Sequence, residues 1–360
     1  MEGASHPRSR RRSGTNRQHS FIDFAGFLRL PIASTVMHAK LDIQFMIRSG
    51  FQFSVIHTKD RSMAATLSFR RLQVAVWCMV AGLVLGFAEG IVRADEPPAF
   101  PTVKLLKTTT QVPFAILGEK PAAPAPTLFV FGADMRNSLI MEDGNRIGRL
   151  LIPQGYLCVS LDLPAHGLDT RPGEKSGDLA AWKERIVKGE NLVTPFTQQF
   201  TQVLDYLISD HYSDAAQIAV AGTSRGGFFA FHCGAADPRV KQVIAFAPVT
   251  NLPALAEFAG AEKNELALSL APIHVANKLV GKPLWIVIGN QDLRVSTDDC
   301  LALALEVVKQ SKGKHNPIPV ELRLVGTIGH RLHASPMPQY GQLSAPHDEA
   351  ARWLLAQRLK

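Results

Sequence analysis

The segment QIAVAGTSRGGFFAFHCGAA, Gln217–Ala236, governs how the rest of the chain is read. An apolar run at Ile218–Ala221 has the length of a buried strand. It runs straight into Gly222, Thr223, Ser224, Arg225, Gly226 and Gly227, after which the pattern turns apolar and helix-like. Gly222–Gly226 spell G-x-S-x-G between a strand and a helix, the setting in which that motif carries chemistry. A serine there needs a sharp, strained backbone turn. Glycines on either side remove Cβ atoms that would collide with the adjoining strand and helix. The turn also opens a helix, whose free N–H groups and dipole favour negative charge, so an oxyanion on a substrate carbonyl would face the N–H of Arg225. The competing reading is a glycine-rich turn whose serine only caps the helix.

A serine hydroxyl is a weak nucleophile at neutral pH and needs a base, which in turn needs an acid to hold its tautomer. The strand-like PLWIVIGN is followed by Gln291, Asp292 and Leu293, which places Asp292 in a loop at a strand's carboxyl end. VELRLV is followed by Gly326, Thr327, Ile328, Gly329 and His330, which places His330 at the next such end. Ser224, Asp292 and His330 thus appear in the order nucleophile, acid, base, each beyond its own strand. His333 competes as base, and the glycine before His330 favours His330. Asp298 and Asp299 compete as acid, but a helix N-terminus already accounts for them.

Strand and helix patterns alternate from Thr127 onward. TLFVF, YLCVSLD, IAVA, VKQVIAFAP, PLWIVIGN and PVELRLVG read as strands. Residues 191–209 place Phe196, Phe200, Val203, Leu204, Leu207 and Ile208 on one helical face. STDDCLALALEVVKQ reads as a helix capped by Ser296 or Thr297, and DEAARWLLAQRLK as the closing helix. TVKLL and VPFAIL, in the proline-rich stretch 95–126, are candidate opening antiparallel strands. The pattern predicts an α/β fold with a mainly parallel central sheet, helices on both faces and a small cap insertion near 249–282. Ligands on such a sheet gather beyond the carboxyl ends of the strands.

VAGTSRGGFFA, IVIGNQDLRV and GTIGH resemble the nucleophile, acid and histidine segments of the α/β-hydrolase superfamily, in particular its dienelactone-hydrolase and prolyl-oligopeptidase-like branches. SLDLPAHGLD is similar to the loop after an earlier strand in the same superfamily. The resemblance covers roughly Thr127–Lys360 and implies the fold described above, with Ser224 as nucleophile, His330 as base and Asp292 as acid. It also implies a second oxyanion donor, the N–H of Ala133. Here the chain departs from the family, with Phe131-Gly132-Ala133-Asp134 where many members carry His-Gly. Asp134 reads as a turn cap, with a substrate-facing carboxylate the alternative. His166 reads as structural and His232 as packing or surface. The Arg225 side chain reads as solvent-facing or as half of a structural ion pair, with a substrate carboxylate the alternative.

The 360 residues carry 39 Lys and Arg against 31 Asp and Glu. Residues 1–94 hold 13 of the basic and 5 of the acidic side chains, which leaves 26 of each in 95–360. The folded part is neutral and shows no basic stripe, so no nucleic-acid partner is expected. Arg70-Arg71, the apolar run Leu72–Ala88 and Val92-Arg93-Ala94 follow the order of a signal peptide over 63–94, with an uncleaved anchor as the alternative. Met63 then reads as the start, residues 1–62 as a non-native or disordered extension, and 95–360 as the hydrolase domain. Cys158, Cys233 and Cys300 show no metal-site or disulfide-framework spacing and read as buried thiols, with one bridged pair in an exported protein the alternative. No glycine loop has phosphate-binding form, and neither a cofactor nor a metal is expected. The expectation is an exported serine hydrolase acting on a small-molecule ester. A short-peptide substrate is the alternative, weakened because 95–126 is too short for the propeller that peptidase members carry. A non-catalytic binding protein on the same fold stands third. Contact with a membrane is expected only if the leader is retained, and the sequence leaves the oligomeric state open.

Overall fold

The computed structural model describes residues 101–141, 145–175, 177–314, 320–328, 330 and 346–357. The extension 1–62, the leader 63–94 and His333 lie outside the described residues. Eight strands, β1 (Val103–Lys107), β2 (Pro113–Leu117), β3 (Ala125–Phe131), β4 (Leu157–Ser160), β5 (Ser213–Thr223), β6 (Val240–Phe246), β7 (Leu284–Gln291) and β8 (Val320–Ile328), form one sheet. Their order is β1-β2-β4-β3-β5-β6-β7-β8. β1 and β2 are joined by a short loop closed on Thr108, whose carbonyl accepts from Gln111 N and whose hydroxyl accepts from Val112 N. So tight a link permits only antiparallel pairing. β3 to β8 are mutually parallel, because a helical crossover separates consecutive strands. All seven residues of β3 are buried, as expected of a strand covered on both faces.

The helices are α1 (Met135–Ile140), α2 (Arg146–Leu151), α3 (Leu179–Val187), α4 (Val193–Ser209), α5 (Arg225–Ala236), α6 (Glu265–Ser269), α7 (Ala276–Leu279), α8 (Thr297–Ser311) and α9 (Pro346–Gln357). On α4 the predicted face is buried from Phe196 to Leu207. Phe200 meets Phe129 edge-on at 4.7 Å, and Phe196 lies 4.3 Å from Phe229 of α5, ring centre to ring centre. Each such ring contributes on the order of 2–3 kcal/mol of burial. Together they lock α4 and α5 onto the sheet beneath the nucleophile turn. The backbone of α4 starts where Asn191 Oδ1 accepts from Val193 N and Thr194 N, both at 2.9 Å.

Two helices depart from the sequence expectation. The polar turn after β3 contains α1, started by Asp134, whose carboxylate accepts from Asn137 N at 2.9 Å. The end of the loop after β4 becomes α3, capped by Asp178 and anchored by buried Leu179, Trp182 and Ile186. The insertion at 249–282 consists of single 3-10 turns with α6 and α7. Its first half packs on α3, and its second half packs on α5 and α8. Cys158, Cys233 and Cys300 are buried free thiols, and burial pushes the Cys158 and Cys300 groups up to about 12. Among the described residues no helix is long and apolar enough to cross a membrane.

Candidate active site

Ser224 sits between β5 and α5 at φ 55° and ψ −116°, a conformation that costs a non-glycine residue about 1–3 kcal/mol. Its own backbone holds it there. Ser224 N donates to Phe246 O at 2.8 Å, and Ser224 O accepts from Val249 N and Gly227 N, each at 3.0 Å. The flanking glycines are required by close approach: a Cβ on Gly222 would strike the Gly226 backbone, and one on Gly226 would strike Phe131 O. The turn is therefore clamped from three sides, by β6, by α5 and by the end of β3.

His330 Nε2 lies 2.9 Å from Ser224 Oγ, and His330 Nδ1 lies 2.9 Å from Asp292 Oδ2. The carboxylate accepts the Nδ1 proton, which leaves Nε2 as the acceptor for the serine hydroxyl. Asp292 is 1% exposed. Burial alone would raise its pKa. The His330 bond and the N–H groups of Arg294 and Val295 on Oδ1 outweigh this and hold the carboxyl below its usual range. Thr297, at the start of α8, positions this loop by donating its hydroxyl to Gly289 O and accepting from Asp292 N. The alternative acids lie elsewhere: Asp298 is exposed and Asp299 accepts from Asn251. The three sequence-predicted residues Ser224, Asp292 and His330 are thus brought into one hydrogen-bonded line.

The two predicted oxyanion donors differ. Arg225 N is the first N–H of α5, where no intrahelical acceptor exists, and it has no protein acceptor among the described residues. Ala133 N does have one. Ser138 Oγ accepts from both Gly132 N and Ala133 N, at 3.1 and 3.0 Å. In this structure Ala133 therefore spends its donor inside the protein, because α1 brings the buried Ser138 hydroxyl back over the end of β3. Asp162 ties the same segment down from the far side, with Oδ1 accepting from Met135 N and Oδ2 from Leu168 N. Neither Ser138 nor Asp162 was singled out in the sequence. A serine at the fourth position of a short helix carries no signal until the helix is known to fold back over the preceding strand.

Solved structures share this fold. The chain superimposes on Porphyromonas gingivalis dipeptidyl peptidase 4 with a TM-score of 0.53 at 17% identity, covering 71% of this chain and 36% of that one. It superimposes on acetyl xylan esterase 1 from Thermoanaerobacterium sp. JW/SL YS485 with a TM-score of 0.50 at 16% identity, covering 71% and 88%. Residues 180–335 match the prolyl oligopeptidase family. The chain has the α/β-hydrolase fold. It spans about a third of the length of the dipeptidyl peptidase it matches. No curated protein matches it by sequence.

The remaining polar groups of the α/β-hydrolase site fall into two kinds. His232 is structural: it is buried on α5, donates from Nε2 to Leu270 O at 2.9 Å, and is driven down to about 4 by burial. His166 is 1% exposed, and its Nδ1 donates to Pro164 O at 2.8 Å. That bond leaves His166 Nε2 as an acceptor, and Arg225 Nη1 donates to it at 2.7 Å and also to Gly177 O. The expectation of a solvent-facing or ion-paired Arg225 is corrected here. The side chain is half-buried, and no carboxylate among the described residues lies within 4 Å of it, because the loop after β4 offers it a neutral imidazole and a carbonyl. Among the described residues no group of three or more His, Cys, Asp or Glu side chains is placed to hold a metal ion.

Proposed function

We propose that the chain is an exported serine hydrolase that cleaves carboxylic esters through an acyl-enzyme. The observation that carries this reading is the line Ser224 Oγ, His330 Nε2, His330 Nδ1, Asp292 Oδ2, with 2.9 Å at each hydrogen bond. Ser224 Oγ attacks the substrate carbonyl while His330 Nε2 takes its proton, and Asp292 stabilises the imidazolium that forms. The oxyanion meets Arg225 N–H at the start of α5. His330 then protonates the leaving alcohol, and a water activated by the same nitrogen releases the acid. An ester is favoured over an amide because Ala133 N–H is engaged by Ser138, and the more reactive ester carbonyl depends less on a second donor. The peptidase reading keeps one specific support, the match of residues 180–335 to the prolyl oligopeptidase family.

The test is labelling of the full chain with a fluorophosphonate probe, followed by a panel of short-chain esters and aminoacyl amides. Labelling of wild type that disappears in Ser224→Ala supports an activated serine. Turnover of aminoacyl amides at rates near those of esters would move the peptidase reading to first place. A folded wild type that takes no label and turns over no ester would overturn the hydrolase reading in favour of a binding protein. Export rests on the leader pattern at 63–94, and N-terminal sequencing of the mature protein should begin at Asp95.

A further inference from the structure

We propose that the substrates of this hydrolase carry a carboxylate close to the scissile bond and that the Arg225 side chain receives it; this deepens the hydrolase reading and rests on Ser224 being the nucleophile. Arg225 follows Ser224 directly, so its guanidinium is tethered to the reacting residue. It reaches the loop after β4, where Nη1 is held by His166 Nε2 at 2.7 Å and by Gly177 O. That loop rises from the carboxyl end of β4, at the same end of the parallel sheet as the nucleophile turn.

No carboxylate pairs with it there, and Glu257 and Asp178 favour its charge only from a distance. Arg294 is neutralised by a two-pronged bond to Glu257, at 2.7 and 2.5 Å. Arg225 has no carboxylate within 4 Å among the described residues, and its partners are a carbonyl and an imidazole that is neutral because its Nε2 accepts from Nη1 while Nδ1 donates to Pro164 O. Nη1 is spent on its two acceptors, while Nε–H and the two Nη2–H groups have no protein acceptor among the described residues. A neutral acceptor that orients a half-buried guanidinium without discharging it leaves a planar fork of donors suited to a carboxylate. Burial and then the Arg294 charge press the Arg225 pKa down, and Glu257 and Asp178 offset this only in part.

The experiment compares two matched ester pairs on the full wild-type chain. One pair carries the charge on the acyl side, mono(4-nitrophenyl) adipate against its methyl ester. The other carries it on the leaving group, 3-acetoxybenzoate against its methyl ester. In at least one pair kcat/KM should favour the acid at least tenfold, with the preference shrinking as salt is raised. Arg225→Met should bring that ratio to about one, and Arg225→Lys should restore part of it; a purely structural role for Arg225 would lower both members of a pair together. Ratios near one in both pairs, with Ser224 still labelled by fluorophosphonate, overturn the carboxylate proposal alone. Absence of labelling overturns the hydrolase reading and this proposal with it.

Discussion

The two halves of the site stand in different states. On the side of the candidate triad the polar atoms are paired, Ser224 with His330 and His330 with Asp292. On the oxyanion side one donor, Arg225 N–H, is open, and the other, Ala133 N–H, is given to Ser138. The difference comes from what each half is made of. Side chains of complementary charge and tautomer satisfy one another, whereas an oxyanion donor is a backbone amide with nothing to bind until the reaction creates its acceptor. A buried amide left waiting is costly, and a nearby hydroxyl relieves that cost. The proposed triad is thus satisfied internally, and of the two proposed oxyanion donors one is engaged and one is open.

Four perturbations break or sharpen this contrast. The largest effect is expected at Asp292→Asn, which leaves the shape and removes the charge that selects the His330 tautomer; kcat on an activated ester should fall by roughly 10⁴. A loss of less than tenfold would mean that Asp292 does not orient the base. Next is Gly226→Ala, whose Cβ would overlap Phe131 O at the seam between the two halves. A destabilisation of about 3 kcal/mol or more is expected in urea unfolding, and wild-type stability would show that the seam is loose.

The third concerns pH. His232 is buried neutral with a pKa of about 4, against 6.5 for the free side chain. The unfolded chain binds more protons between those values, so the contribution is complete above pH 6.5 and is lost as pH falls toward 4. The expected loss is on the order of 2–3 kcal/mol. His232→Gln should remove this part of the slope of the urea midpoint, and a slope that survives the substitution would place its origin elsewhere.

The smallest effect is expected at Ser138→Ala. It strands two amides, costing about 1–2 kcal/mol of stability, while kcat/KM changes less than tenfold because the competing acceptor is gone as well. A fall of a hundredfold or more would instead make Ser138 the residue that holds Ala133 in its working position.

Much of the site was legible in the chain because its signals are local. Gly222, Gly226 and Gly227 announce close backbone approach, and Asp292 and His330 each follow an apolar strand at a short, readable distance. Asp134 as a cap and Asp298 and Asp299 as first-turn residues were equally local. α1 and α3 were hidden: one is a single short turn of helix, and the other is held by Leu179, Trp182 and Ile186, whose spacing is overshadowed by the polar loop before it. The partner of Arg225 was also out of reach, since His166 lies 59 positions away and its neutrality depends on a bond to Pro164.

The sequence by itself determined the class of fold and brought forward Ser224, Asp292 and His330 as a candidate triad, because periodicity, glycine placement and chain order are properties of neighbouring residues. Only the tertiary structure decided which donors are free, since that depends on what each group meets across the sheet. Ser138 takes the Ala133 amide, and His166 orients Arg225 without neutralising it. Both outcomes follow from the same rule: a half-buried polar group binds the nearest acceptor the fold brings to it, and distance in space is not written in distance along the chain.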